Sequence, residues 1–194
     1  MLLSFFKNFA RPRAGKPVGQ IRLHVGGQIP HADWKILDVR PGPHVDYVGS
    51  CTSLASFDDN SVIEIYASHV LEHLGYMRDL PAALDEFFRV LIPGGTLRAG
   101  VPDLDILCRL FTDPALDLEA RFMVMRMMFG GQMNSADYHY VGLNEEILRD
   151  CLLHAGFVDI VRTGNFGLFE DDSTTTFSDR PISLNMIARK PARS

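Results

Sequence analysis

The sequence predicts an α/β fold on a mostly parallel sheet. Two observations carry that expectation. Short β-rich runs, each bounded by Gly, Pro, Asp or Asn, alternate along the chain with stretches of helical periodicity. The composition, 46% hydrophobic and 22% charged, is that of an ordinary globular core and not of a disordered or fibrous chain.

The elements follow in order. Ile21–Val25 is a β-rich run closed by Gly26-Gly27. Lys35–Val39 is a second, ending in Pro41-Gly42-Pro43, and Val45–Val48 a third. Val62–Ala67 follows the turn-like Asp58-Asp59-Asn60, and Thr96–Val101 is entered through Pro93-Gly94-Gly95. Each has the length of a buried strand. Between the last two, Leu80, Leu84, Phe87, Phe88 and Leu91 mark one face of a helix, with Asp79 suited to its N-cap and Pro81 to its first turn. Leu104–Phe111 and Leu118–Phe129 also read as helical, as does the stretch from the cap Asn144 to His154, closed by Gly156. Phe157–Arg162 and Ser183–Ala188 are the final runs. One spacing stands out. Gly26 to Trp34 is shorter than the dozen or so residues a parallel crossover usually needs. Either the first crossover helix is cut to a turn or the strand limits lie elsewhere.

The chain reads as one domain, 21–194, behind an arm, 1–20. The arm holds Lys7, Arg11, Arg13 and Lys16, with its apolar stretch first and too short for a signal peptide. It is either a segment that packs on its own domain or is disordered, or an amphipathic piece that makes peripheral membrane contact or covers the active site. No apolar run reaches the ~20 residues of a membrane-spanning helix. A net charge of −5 argues against nucleic acid as partner. Three scattered cysteines form no metal ribbon or disulfide framework, so a reducing, cytoplasmic setting is expected.

The pieces LHVGG, Trp34–Asp38, FDDNSVIEIYASHVLEHL and ALDEFFRVLIPGGTLRAGVPDLD resemble the class I S-adenosylmethionine-dependent methyltransferases. More narrowly, with FGGQMNSADYHYVGLN, HAGF and SLNMIARK, the chain resembles the short type 11 methyltransferases often linked to surface-polysaccharide genes. The resemblance implies a Rossmann-like, seven-stranded sheet with an antiparallel last strand, S-adenosyl-L-methionine as cofactor, and a small-molecule or glycan acceptor. It places Gly26 and Gly27 in the cofactor loop, where a Cβ would obstruct close approach of the backbone. Gln28 stands at the family's second glycine. Asp38 is placed on the ribose hydroxyls, which a carboxylate accepts in pairs. Ser50 occupies the place of an adenine-facing Asp, with Cys51 beside it. Ser68 and His69 sit past the fourth run, on the substrate side.

His69-x-x-Glu72-His73 is an HxxEH string. Inverted zinc peptidases carry such a string on a helix; here it straddles a strand end. It also resembles the Glu-x-x-Glu-His segment with which plant small-RNA and ubiquinone-pathway O-methyltransferases bind a divalent metal. That resemblance gives the set His69, Glu72, His73 and His139. His69 or His139 acting as a metal-free general base is the other reading, and structural roles for all four remain open. Asp103 is expected to cap the following helix. Phe129–Gln132 is expected to turn the chain over the pocket, the run from Met123 to Met128 to be core, and Glu170–Asp172 to be a solvated loop. The expected function is methyl transfer to a hydroxyl of a sugar, a glycan precursor or a small molecule, with His69 facing the reacting centre. A methyltransferase-like scaffold with a degenerate cofactor loop is the alternative.

Overall fold

The computed structural model describes residues 21–192. The expectations for the arm, 1–20, lie outside them. Five strands run parallel: β1 (Ile21–Val25), β2 (Trp34–Asp38), β3 (Tyr47–Val48), β4 (Val62–Ser68) and β5 (Leu91–Pro102). After them come β6 (Val158–Thr163), a small hairpin of β7 (Thr176–Phe177) and β8 (Arg180–Pro181), and β9 (Ser183–Arg189). The main sheet has the order β3-β2-β1-β4-β5-β9-β6, with β9 antiparallel to both its neighbours. The expected closing pair is therefore present.

Among the described residues four α-helices accompany the sheet: α1 (Asp79–Val90), α2 (Leu104–Phe111), α3 (Leu118–Phe129) and α4 (Glu145–His154). The apolar stripe of α1 (Leu80, Leu84, Phe87) and that of α4 (Leu148, Leu152) are fully buried against Leu23, Ile65, Ala67 and Leu97. Asn144 caps α4 by accepting from Ile147 N, and Asp103 caps α2 by accepting from Asp105 N and Ile106 N, both as the sequence suggests. The N-cap of α1 differs: Arg78 holds that position without a side-chain bond. Asp79 lies inside the first turn, where its charge still meets the positive end of the helix.

The first crossover is a turn, one of the two readings its length left open; the links β2–β3 and β3–β4 also carry no helix. The second sheet face is instead covered in part from the far end of the chain. Trp34, Tyr66 and Phe169 form a separate buried cluster there with Phe166 against it. The segment read as a solvated loop belongs to this cover: Tyr66 Oη donates to Asp171 at 2.7 Å. Of the methionine run, Met127 and Met128 pack on the cluster of α2 and α3, while Met123 is exposed.

Candidate functional site

Strand order reverses between β1 and β4, and in such sheets the crevice beyond the carboxyl ends at that point binds ligands. A cleft of about 360 Å³ lies there, within the usual range for small-molecule sites. Gly26 follows β1, Asp38 ends β2, Ser50 and Cys51 follow β3, Ser68 ends β4 and His69 follows it; all six line this cleft. A larger open groove beside α1 is lined by Arg89, Glu86 and Asp59. It lies away from the strand ends, and its charges satisfy one another, Arg89 meeting Glu86 and Asp59 at 2.7 Å.

Gly26 is required twice over: its φ is +72°, and a Cβ would come within 2.6 Å of Val70 Cγ2. Gly27 is the exception among the expected cofactor residues. It does not line the cleft, and a Cβ there would meet the His24 ring at 2.7 Å. Its missing side chain makes room for His24, whose ring lies 4.3 Å from Phe169 and 5.0 Å from Tyr66. Burial pulls the His24 pKa down to about 4 against a weaker pull from Asp171.

Asp38 is 7% exposed. Its Oδ1 accepts from Arg40 N at 2.7 Å, and its Oδ2 carries no hydrogen bond among the described residues. Ser68 Oγ is buried with no hydrogen-bond partner among the described residues. Ser50 Oγ is engaged locally with Thr52, 2.7 Å from its Oγ1. Burial pushes the Cys51 thiol up to about 11, so it is not a nucleophile.

A second cleft of about 280 Å³ adjoins the first and shares His69, His73 and Asp172 with it. His69 has φ +53°, a conformation rare outside glycine, and this swings the chain out of β4 into a 3-10 turn at Leu71–His73. The strap after α3 closes the other side. Gly130, with φ +83°, packs so tightly on Asp137 that a Cβ would strike its carbonyl. Tyr140 N donates to Glu72 O at 2.8 Å. Between these two anchors His139 is brought beside Glu72 and His73, and ligating atoms of the three lie within 4.8 Å of one another.

His69 is excluded from that group by its own bonds. Ser183 Oγ donates its one proton to Asp172 O at 2.6 Å, so it accepts from His69 Nε2 at 2.9 Å. His69 Nδ1 then faces Glu72 Oε1 at 3.2 Å. Glu72 is 2% exposed, and beyond this approach neither of its oxygens has a hydrogen-bond partner among the described residues. Burial lowers the His69 pKa, but Glu72, Asp172 and Asp171 together outweigh it and hold it above the ordinary value. His69 thus faces Glu72 while lining both clefts. Burial, set against Glu72, keeps His139 below the ordinary value. Asp172, which lines both clefts, carried no sequence signal beyond its acidic neighbours.

Residues 32–99 match a family described as a methyltransferase domain. No curated protein matches the sequence. The fold is similar to that of a SAM-dependent methyltransferase from Archaeoglobus fulgidus, at 15% identity and TM-score 0.56, over 88% of this chain and 86% of that one. It is also similar to a Burkholderia thailandensis 1,6-didemethyltoxoflavin-N1-methyltransferase solved with its substrate and S-adenosylhomocysteine. There the identity is 16% and the TM-score 0.51, over 88% and 71% of the two chains. The CurJ carbon methyltransferase is matched at 16% identity and TM-score 0.51; 92% of this chain is covered, but it spans only 50% of that longer one. Residues 32–99 thus match a methyltransferase domain family, and the chain has a fold similar to that of S-adenosylmethionine-dependent methyltransferases.

Proposed function

We propose that the protein transfers a methyl group from S-adenosylmethionine to a hydroxyl of a small molecule, a sugar or a glycan precursor. The observation that carries the cofactor is the cleft at the switch point, with a buried carboxylate, Asp38, at its rim. Asp38 keeps Oδ2 open for a diol, and Ser68 Oγ offers a further unpaired polar atom. Gly26 lets the β1 loop pass close beneath a ligand. Ser50 and Gln28 provide neutral contacts where the resemblance leads one to expect a charge and a glycine.

The cofactor supplies an electrophilic methyl on a sulfonium: the C–S pair stays on sulfur as the new O–C bond forms. The chain's part is to align the acceptor oxygen with that methyl, which in such transfers supplies most of the rate. The acceptor oxygen comes from the second cleft, across the wall formed by His69 and His73. Without an ion, His139 is the group that takes its proton: it is held neutral, and its Nδ1 donates to Met127 O at 2.9 Å, which leaves Nε2 as the base.

Calorimetric titration with S-adenosylmethionine and S-adenosylhomocysteine tests the cofactor. Micromolar binding is expected, and Asp38→Ala, which removes charge-assisted bonds of about 1.5–3 kcal/mol, should weaken it roughly 10- to 100-fold. A folded protein that binds neither at millimolar concentration would refute the reading.

A further inference from the structure

We infer that Glu72, His73 and His139 form a binding site for one divalent zinc-class ion in the wall between the two clefts. The first support is a buried charge. Glu72 is 2% exposed, and among the described residues neither of its oxygens accepts a hydrogen bond. A carboxylate in that state is costly unless a cation meets it. His69 approaches Oε1 at 3.2 Å, and a carboxylate oxygen of Glu72 lies within 4.8 Å of ligating atoms of His73 and His139.

The second support is the protonation pattern of the two imidazoles. His139 Nδ1 lies 2.9 Å from Met127 O, and His73 Nδ1 lies 3.1 Å from Tyr138 O. A carbonyl only accepts, so each Nδ1 carries the proton and each Nε2 keeps the lone pair. Backbone carbonyls that fix the tautomer in this way are the usual outer support of metal-binding histidines. The rings stand edge to face, with centroids 4.8 Å apart.

Two imidazoles and one carboxylate make a ligand set of catalytic zinc, in which a fourth position stays open. Zinc at ~2.1 Å from each ligand sets them ~3.4 Å apart. The present group, within 4.8 Å, reaches that by side-chain adjustment. His69 is left out, because Ser183 holds its Nε2. It supports Glu72 from behind. The ion site stands by itself. The role it implies rests on the proposed function: an acceptor hydroxyl in the open position loses its proton more readily and is held beside the methyl donor.

The test uses the full chain, stripped with a chelator, checked by circular dichroism, and titrated with Co²⁺ in competition with Zn²⁺. One ion per chain is expected, with the visible bands of a low-coordinate Co²⁺ site that Zn²⁺ abolishes. Glu72→Gln and His139→Gln should each weaken binding by more than the roughly 10–100-fold that loss of a supporting group causes. His69→Gln should stay within that range, and His154→Ala, exposed on α4, should change nothing. Should either ligand variant lose its native dichroism, His73→Gln decides in its place. The inference is overturned if no stoichiometric binding is found, if the ligand variants bind as well as the parent, or if His69→Gln costs as much as Glu72→Gln. S-adenosylmethionine is titrated into the same samples. Its failure to bind beside a bound ion refutes the methyltransferase reading alone. Its binding by a protein that takes no ion refutes the ion site alone.

Discussion

Substituting His24 by Phe isolates the cost of one buried imidazole. His24 is 4% exposed among Tyr66 and Phe169, and its Nδ1 has no hydrogen-bond partner among the described residues. Its pKa is about 4 in the fold against 6.5 as the ordinary value. The sign follows from proton uptake. Between these values the unfolded chain binds the proton and the native state does not, so acid favours unfolding. The neutral ring's contribution is complete above about pH 6.5, falls as pH drops below it, and levels off below about pH 4. Linkage gives a loss of about 1.4 kcal/mol at pH 5.5 and about 2.6 kcal/mol at pH 4.5. Phe cannot titrate and fits the aromatic surroundings. The stability of His24→Phe relative to the parent should therefore rise by those amounts as pH falls from 7.5. Urea denaturation at pH 7.5, 5.5 and 4.5 reads the difference, from which other titrating groups cancel. A difference that stays constant with pH would refute the assignment of a neutral, desolvated His24.

Two further outcomes concern the frame of the site. Gly26→Ala forces a Cβ to φ +72° and against Val70; it should cost about 1–3 kcal/mol in a denaturation measurement and lower cofactor affinity. Arg162→Met removes the guanidinium 2.7 Å from the Asp103 carboxylate, whose side chain is 2% exposed. Arg162 is itself 40% exposed, so solvent screening brings the cost to about 1–3 kcal/mol, below that of a fully buried pair. Adding Asp103→Asn, which keeps the capping oxygen, should recover part of that loss on the same denaturation curve.

Local pattern made the strand runs, the amphipathic α1 and α4, their order and the short first crossover readable. Each depends on a periodicity of two or 3.6 and on breakers a few residues away. The carboxyl-end position of Asp38, Ser50, Ser68 and His69 followed from that order alone. Other features depended on contacts between distant parts of the chain. Gly27 proved to serve His24 packing, because which ring fills the space behind a loop depends on the cover from Phe166 and Phe169. Glu170–Asp172 carried only the pattern of a solvated loop, since nothing near it in sequence shows that Tyr66 waits for a carboxylate 105 residues on.

The histidines show the same division. The sequence by itself determined that His69, Glu72 and His73 sit together past β4, since four residues of chain allow little else. Tertiary structure alone decided that His139 joins Glu72 and His73 while Ser183 holds His69 Nε2. The strap is held by Tyr140 N on Glu72 O and by the tight Gly130 turn, and His69 by Ser183 across the sheet. Those bonds join residues 68 and 114 positions apart. No local preference encodes them, because each forms only once the folded sheet has brought both ends of the bond to one edge.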